Sequence, residues 1–303
     1  MTARPKRIRR CQLAVPASNE ELVKKAVASD ADHVFLDLED AVAPNAKPGA
    51  RKTAINAFND LDWGKKTRCY RINDLRTSWC YQDIIEVVSG ARENIDTLMI
   101  PKAMDGRDIF FVSTLLDQLE ADLGMTKSIG LEVLIEETEG LQNVEGICAA
   151  SPRMEAVIFG LGDYGASQGI EPISVGGDSS YPGDLWHYGR FRITMAAKAC
   201  GLDAIDGPYA NLGNIEGYER ECKRAMILGM GGKWALTPKQ IPTALGVFSP
   251  DERQIKSARM MAAEYKKAET AGLGSIKVHG IMVDAATVRL AQNIIDRADL
   301  IGD

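Results

Sequence analysis

Eight short, nearly continuous apolar runs recur along the chain, most of them followed by a stretch of helical periodicity. This alternation constrains the fold more than any other feature of the sequence. The runs are CQLAVPA (11–17), HVFLDLE (33–39), TRCYRIN (67–73), TLMIPKA (97–103), IGLEVLIEE (129–137), AVIFGLGD (156–163), DAIDGPY (203–209) and GKWALTP (232–238). A strand with one wet face alternates apolar and polar residues; a strand buried on both faces loses the alternation, as most of these do. The segments between them, such as NEELVKKAVAS and DIFFVSTLLDQLEADLG, carry apolar residues at helical spacing. Several end on glycine, which takes a helix C-cap conformation without steric cost. Eight βα units in roughly 240 residues predict an α/β protein of the (β/α)8 TIM-barrel type. A doubly wound open sheet is the competitor, but no G-x-G-x-x-G follows the first run.

The pattern changes near Ser249. SPDERQIKSARMMAAEYKKAETAG reads as a long amphipathic helix, SIKVHGIMVD as two short strands about His279-Gly280, and the rest as a helix from Ala285 to about Ala298. The expected division is a barrel over 1–248 and an extension over 249–303 that packs on its own barrel or on a neighbouring subunit.

Charge and composition exclude several function classes. The net charge of −6 comes with no basic stripe, against a nucleic-acid binder. No run approaches 18 apolar residues, against a membrane span, and the basic opening MTARPKRIRRCQ lacks the apolar core of a secretory signal. The six cysteines form no C-x-x-C pair, which fits reduced thiols in a cytoplasmic protein, and none lies in an activating context for a nucleophile.

In such a barrel the chemistry sits at the C-terminal ends of the strands. Those ends deliver Asp37, Glu39 and Asp40; Arg71 and Asn73; Lys102; Glu132, Glu136 and Glu137; Asp163; Asp206; and Thr237 with Lys239. So many carboxylates raise one another's pKa unless a cation joins them. Glu136 and Asp163, on consecutive strands, suit Mg2+, which prefers carboxylate oxygens and retained waters. Three unpaired histidines make zinc a poorer match. Equally, the two acids could cap helices or pair with Arg71 and Lys102, and the residues alone leave both readings open. Arg71 reads as a strand-end ion pair to Glu39 or Asp40, or as a guanidinium those acids aim at a carbonyl or carboxylate. Asp284, ahead of the last helix, reads first as an N-cap.

Taken together, RCQLAVPAS, FLDLEDAVAPNAKPGAR, RIND, MIPKA, VLIEETEGL, ASPRMEAVIFGLGDYGAS, YPGDLWHYGRFRI, AIDGPY, GKWALTPKQI and GIMVDAATVRLAQ resemble the CitE-like branch of the HpcH/HpaI aldolase/citrate lyase family. They look most like its malyl-CoA/β-methylmalyl-CoA lyases, over nearly the whole chain. The resemblance implies a homotrimeric or hexameric (β/α)8 barrel with Mg2+, or Mn2+, held by Glu136 and Asp163. It implies that Arg71 binds substrate near the thioester carbonyl, with Glu39 and Asp40 beside it. Lys25 is implied near the CoA phosphates, and Gly162-Asp163 and Leu236-Thr237 along the substrate. Asp284 is implied to enter a neighbouring subunit's active site as the proton-transfer group. The implied reaction is reversible cleavage of a 3-hydroxyacyl-CoA such as (S)-malyl-CoA or β-methylmalyl-CoA to acetyl- or propionyl-CoA and glyoxylate. Lys102 is then electrostatic or structural rather than a Schiff-base nucleophile. The alternatives are a malyl-CoA thioesterase, a citramalyl-CoA lyase, a citrate lyase β-subunit-like protein and a non-catalytic barrel. Three positions depart from the malyl-CoA lyase pattern: Thr237 stands where histidine is common, and Ala14 and Asn19 where an aromatic residue and arginine are frequent. All three bear on which acyl-CoA is accepted.

Overall fold

A computed structural model describes residues 4–170, 175 and 181–302. Eight parallel strands close in sequence order into a barrel. They are β1 (Cys11–Pro16), β2 (His33–Asp37), β3 (Thr67–Arg71), β4 (Thr97–Ile100), β5 (Gly130–Ile135), β6 (Met154–Phe159), β7 (Asp203–Asp206) and β8 (Gly232–Ala235). Pairing of Cys11, Gln12 and Leu13 with Lys233, Trp234 and Ala235 closes the ring. Each strand stops one to four residues short of the apolar run that announced it, so the polar residues at the run ends lie in the loops of the mouth.

The barrel interior is layered. A middle layer of Phe35, Cys69, Met99, Leu134, Ala156, Ile158, Ile205 and Trp234, with Ala14 packed against it, excludes water from the axis. At the N-terminal end of the strands lies a buried polar plug. Glu132 accepts bonds from Arg9 Nε (3.0 Å), Gln12 Nε2 (2.8 Å) and Thr97 Oγ1 (3.1 Å), and pairs with His33 Nε2 at 3.0 Å. Arg9 also donates to Glu155 (2.5 Å) and Asp203 (2.9 Å).

Two sequence expectations fail here. Glu132 is not at the mouth: it shares the inward face with Glu136, but four residues at about 3.3 Å each put it roughly 13 Å lower. Asp206 is not there either. Its neighbour Ile205 points inward, so strand alternation turns Asp206 outward, where it is fully buried between Arg190 (3.0 Å) and Lys233 (2.5 Å).

Residues from Val247 onward, with residues 6–8, form a second compact unit, and residues 9–246 belong to the first. Its helix Glu252–Thr270 starts at Asp251, whose carboxylate caps Gln254 N–H while the Gln254 side chain returns a bond. β9 (Ser275–Val278) and β10 (Ile281–Asp284) form a hairpin whose turn residues His279 and Gly280 both have positive φ, 49° and 88°. The last helix, Ala285–Ile301, runs a turn past the expected end because its left-handed cap is Gly302. Tyr265, Val278 and Val283 make a small core of their own. Among the described residues no helix is long and apolar enough to cross a membrane.

Candidate active site

Arg71 and Asp37 end adjacent strands and are register partners, so their side chains meet at the mouth. Asp37 accepts Arg71 Nε at 2.8 Å and Nη2 at 2.7 Å, a two-pronged grip that fixes the guanidinium plane. The backbone N–H groups of Glu39 and Ala41 hold the Asp37 carboxylate in turn. Burial works against both charges, yet Arg71 and the two backbone N–H groups together keep Asp37 below the usual carboxylate range. The guanidinium lies 5.6 Å from the centre of the Trp234 ring, which supports it from the middle layer. Its Nη1 sits 3.0 Å from Glu39 Oε2 without hydrogen-bond geometry, and that oxygen is buried with no hydrogen-bond partner. Arg71 is therefore oriented mainly by Asp37, whereas the sequence pointed to Glu39 or Asp40.

Glu39 and Asp40 hold Lys102 instead: its ammonium bonds Glu39 Oε1 and lies 3.0 Å from Asp40 Oδ2 and 3.9 Å from Asp163 Oδ1. Glu136 follows β5 directly, is 2% exposed, and accepts the Lys102 backbone N–H at 2.8 Å. Gly160 leaves it room, since a Cβ there would lie 2.5 Å from Glu136 Oε2. Burial pushes the Glu136 carboxyl up to about 8; Arg71 and Lys102 oppose the rise, while Glu39 and Asp163 add to it. Burial likewise raises Glu39. With half-buried Asp163 on the first turn of helix Leu161–Gln168, Glu136 presents oxygen donors suited to a hard divalent cation. His33, Cys69 and Glu132 also cluster closely, but four protein partners already engage Glu132, which leaves nothing for an ion.

The loop bearing Glu39 is clamped from behind. Lys47 Nζ donates to the carbonyls of Leu38 and Glu39 (both 2.9 Å) and to Asn73 Oδ1 (2.5 Å). Asp83 accepts from Asn73 N–H and Nδ2 and from Arg51 Nε. Sequence reading places Asp37 among the acids at the end of the second run that orient Arg71, as its two bonds to the guanidinium do, but assigns no role to Lys47, Trp234 or Gly160.

The remaining candidates are dispersed. Lys25 is exposed on helix Glu20–Val27, whose N-cap is Asn19. Gly162 precedes Asp163 on the same helix. The Leu236 N–H is taken by Gln240 Oε1 at 2.7 Å, and Thr237 Oγ1 is buried without a partner. Asp284 caps the last helix, its Oδ1 accepting Thr287 N–H and Oγ1, both at 2.9 Å.

Comparison with known proteins follows the same lines. The family model described as HpcH/HpaI aldolase/citrate lyase matches residues 10–238. The L-malyl-CoA/beta-methylmalyl-CoA lyase of Rhodobacter capsulatus is 38% identical, over 98% of this chain and 96% of that one. The malyl-CoA/beta-methylmalyl-CoA/citramalyl-CoA lyase of Chloroflexus aurantiacus is 35% identical, over 91% and 83%. Among solved structures, CitE from Mycobacterium tuberculosis in complex with magnesium, acetoacetate and coenzyme A superposes with a TM-score of 0.75 at 26% identity, covering 98% of this chain and 99% of that one.

Proposed function

We propose, from the premise that the chain belongs to the HpcH/HpaI aldolase/citrate lyase family, that it is a carbon–carbon lyase acting on a coenzyme A thioester. The reaction is reversible Claisen-type cleavage of a 3-hydroxyacyl-CoA such as (S)-malyl-CoA or β-methylmalyl-CoA, giving acetyl-CoA or propionyl-CoA and glyoxylate. One observation carries the reading: a rigid, buried arginine stands beside the buried carboxylate of Glu136, which shares the mouth with the further acids Glu39 and Asp163.

Glu136 and Asp163 hold Mg2+, or Mn2+, which when bound supplies Lewis-acid polarisation of the 2-oxoacid. Arg71 faces the thioester oxygen, where negative charge grows as the carbon–carbon bond opens, and Asp37 prevents it from turning away. Glu39 and Asp40 keep Lys102 among the acids of the mouth. Asp284 of the partner subunit moves the proton at the thioester α-carbon, as acid in cleavage and base in condensation. Assembly as a homotrimer or hexamer belongs to this reading, as does a cytoplasmic setting for six free thiols. Lys25 serves the CoA phosphates, while Gly162 and Asp163, with Leu236 and Thr237, line the acyl part. The Leu236 N–H is engaged by Gln240 and takes no part.

The test is incubation with Mg2+, glyoxylate and either acetyl-CoA or propionyl-CoA, with product masses read out. A new 3-hydroxyacyl-CoA is the expected result, and the preferred thioester identifies the acyl chain. Release of free CoA and malate from malyl-CoA, with no glyoxylate, would replace the lyase by a thioesterase. A pocket distinguishes one methyl group by only about 1–3 kcal/mol, so turnover with both thioesters is expected.

A further inference from the structure

Three non-glycine residues among those described have positive φ: Arg92, Lys102 and His279. Arg92 caps a helix and His279 turns a hairpin, both ordinary places for such a conformation. Lys102 (φ 50°) instead stands just past the end of β4, at the mouth of the barrel. Its peptide is pinned on both sides: the N–H is held by Glu136 Oε1 at 2.8 Å, and the carbonyl accepts Arg76 Nη2 at 2.5 Å. Strain of this kind persists only where the surroundings over-determine it, and it concentrates at functional sites. Here it accompanies an ammonium that reaches acids of the β2 loop and of helix Leu161–Gln168 together, Glu39, Asp40 and Asp163.

We propose that Lys102 is a positioning residue and the built-in counter-ion of the mouth, competing with the divalent cation for its carboxylates and so weakening cation binding. The proposal rests on the cation site described under the proposed function. A positive charge 3.9 Å from a cation-holding carboxylate opposes a second positive charge at the same oxygens, an opposition that solvent at the half-exposed Asp163 screens in part. At the same time its backbone N–H keeps Glu136 aimed. Charge and main chain therefore do separable work, and substitution can divide them.

The test is calorimetric and electron-spin-resonance titration of Mn2+ into the full chain, its Lys102→Gln, Lys102→Gly and Lys102→Arg forms, and Glu136→Gln as the site control. Glycine keeps the left-handed backbone without strain, so Lys102→Gly provides a folded form should the glutamine variant fail. Lys102→Gln and Lys102→Gly are expected to bind Mn2+ about tenfold more tightly or better, with Lys102→Arg within about threefold of the parent. Equal or weaker binding in both uncharged variants would overturn the counter-ion role, leaving Lys102 as a brace for the acids. Mn2+ binding that survives Glu136→Gln unchanged would instead overturn the cation site itself.

Discussion

The two ends of the barrel are built from the same ingredients and reach opposite electrostatic states. At the lower end Glu132 is fully buried, but Arg9, Gln12, His33 and Thr97 engage its oxygens, and His33 with Arg9 holds its pKa far down in spite of burial. Among those plug residues only His33 Nδ1 lacks a partner. At the mouth Glu136 is equally buried but surrounded by further carboxylates, and it is pushed up to about 8, while Glu39 Oε2 and Thr237 Oγ1 are left unmatched. Buried charge that is fully paired belongs to the scaffold. Buried charge left short of partners is where a ligand brings what is missing.

The largest expected effect tests the mouth. Arg71→Lys keeps the charge but loses the fork to Asp37; turnover should fall by at least about a hundredfold, and by about a thousandfold or more in Arg71→Met, measured by steady-state kinetics. Next comes a paired substitution. Glu132→Gln should cost about 1–3 kcal/mol in urea unfolding, because it weakens the charge-assisted bonds from Arg9 and His33 while Glu155 and Asp203 still pair Arg9, with Mn2+ binding unaltered. Glu136→Gln should do the reverse, abolishing Mn2+ binding while the metal-free protein unfolds no more easily. If both variants lost stability and neither lost the ion, the contrast between the ends would collapse.

Gly160→Ala sharpens the contrast without touching a charge. Its Cβ would sit 2.5 Å from both Cβ and Oε2 of Glu136 and displace that residue, so Mn2+ should bind about tenfold or more weakly, with some loss of melting temperature as the strand end shifts. The acid limb of stability tests the plug. Glu132 is depressed in the folded state relative to its ordinary 4.5, so its contribution is complete above that value and is lost as pH falls through and below it. A flatter acid limb in Glu132→Gln, followed by circular dichroism, is the expected result. The smallest effect is Thr237→Val: removing an unpartnered buried hydroxyl should leave stability within about 1 kcal/mol or improve it, and raise KM several-fold if that hydroxyl meets the substrate.

The barrel was legible because strands buried on both faces leave unbroken apolar runs, a signal that does not depend on distant contacts. The mouth was legible only in part. Glu39, Arg71, Lys102, Glu136 and Asp163 do converge, since strand ends fix their height. Glu132 and Asp206 were misplaced because a run of buried residues conceals both the height within a strand and the inward or outward phase of each position. Once Ile205 is known to face the axis and Leu134 to lie in its middle layer, both errors resolve. Lys47, Trp234 and Gly160 left no trace, because their importance lies in contacts between segments far apart in the chain. Asp284 shows the opposite limit: its hydrogen bonds to Thr287 make it the N-cap the residues suggested, and a role beyond that comes from relatedness rather than from local geometry.

The sealed lower end also has a kinetic meaning. With the axis blocked by an apolar layer over a bonded polar floor, traffic has a single doorway, and both fragments of a severed substrate must leave through it in turn. The fragment lodged nearer the floor is then expected to leave last, an ordered release that product-inhibition kinetics would read.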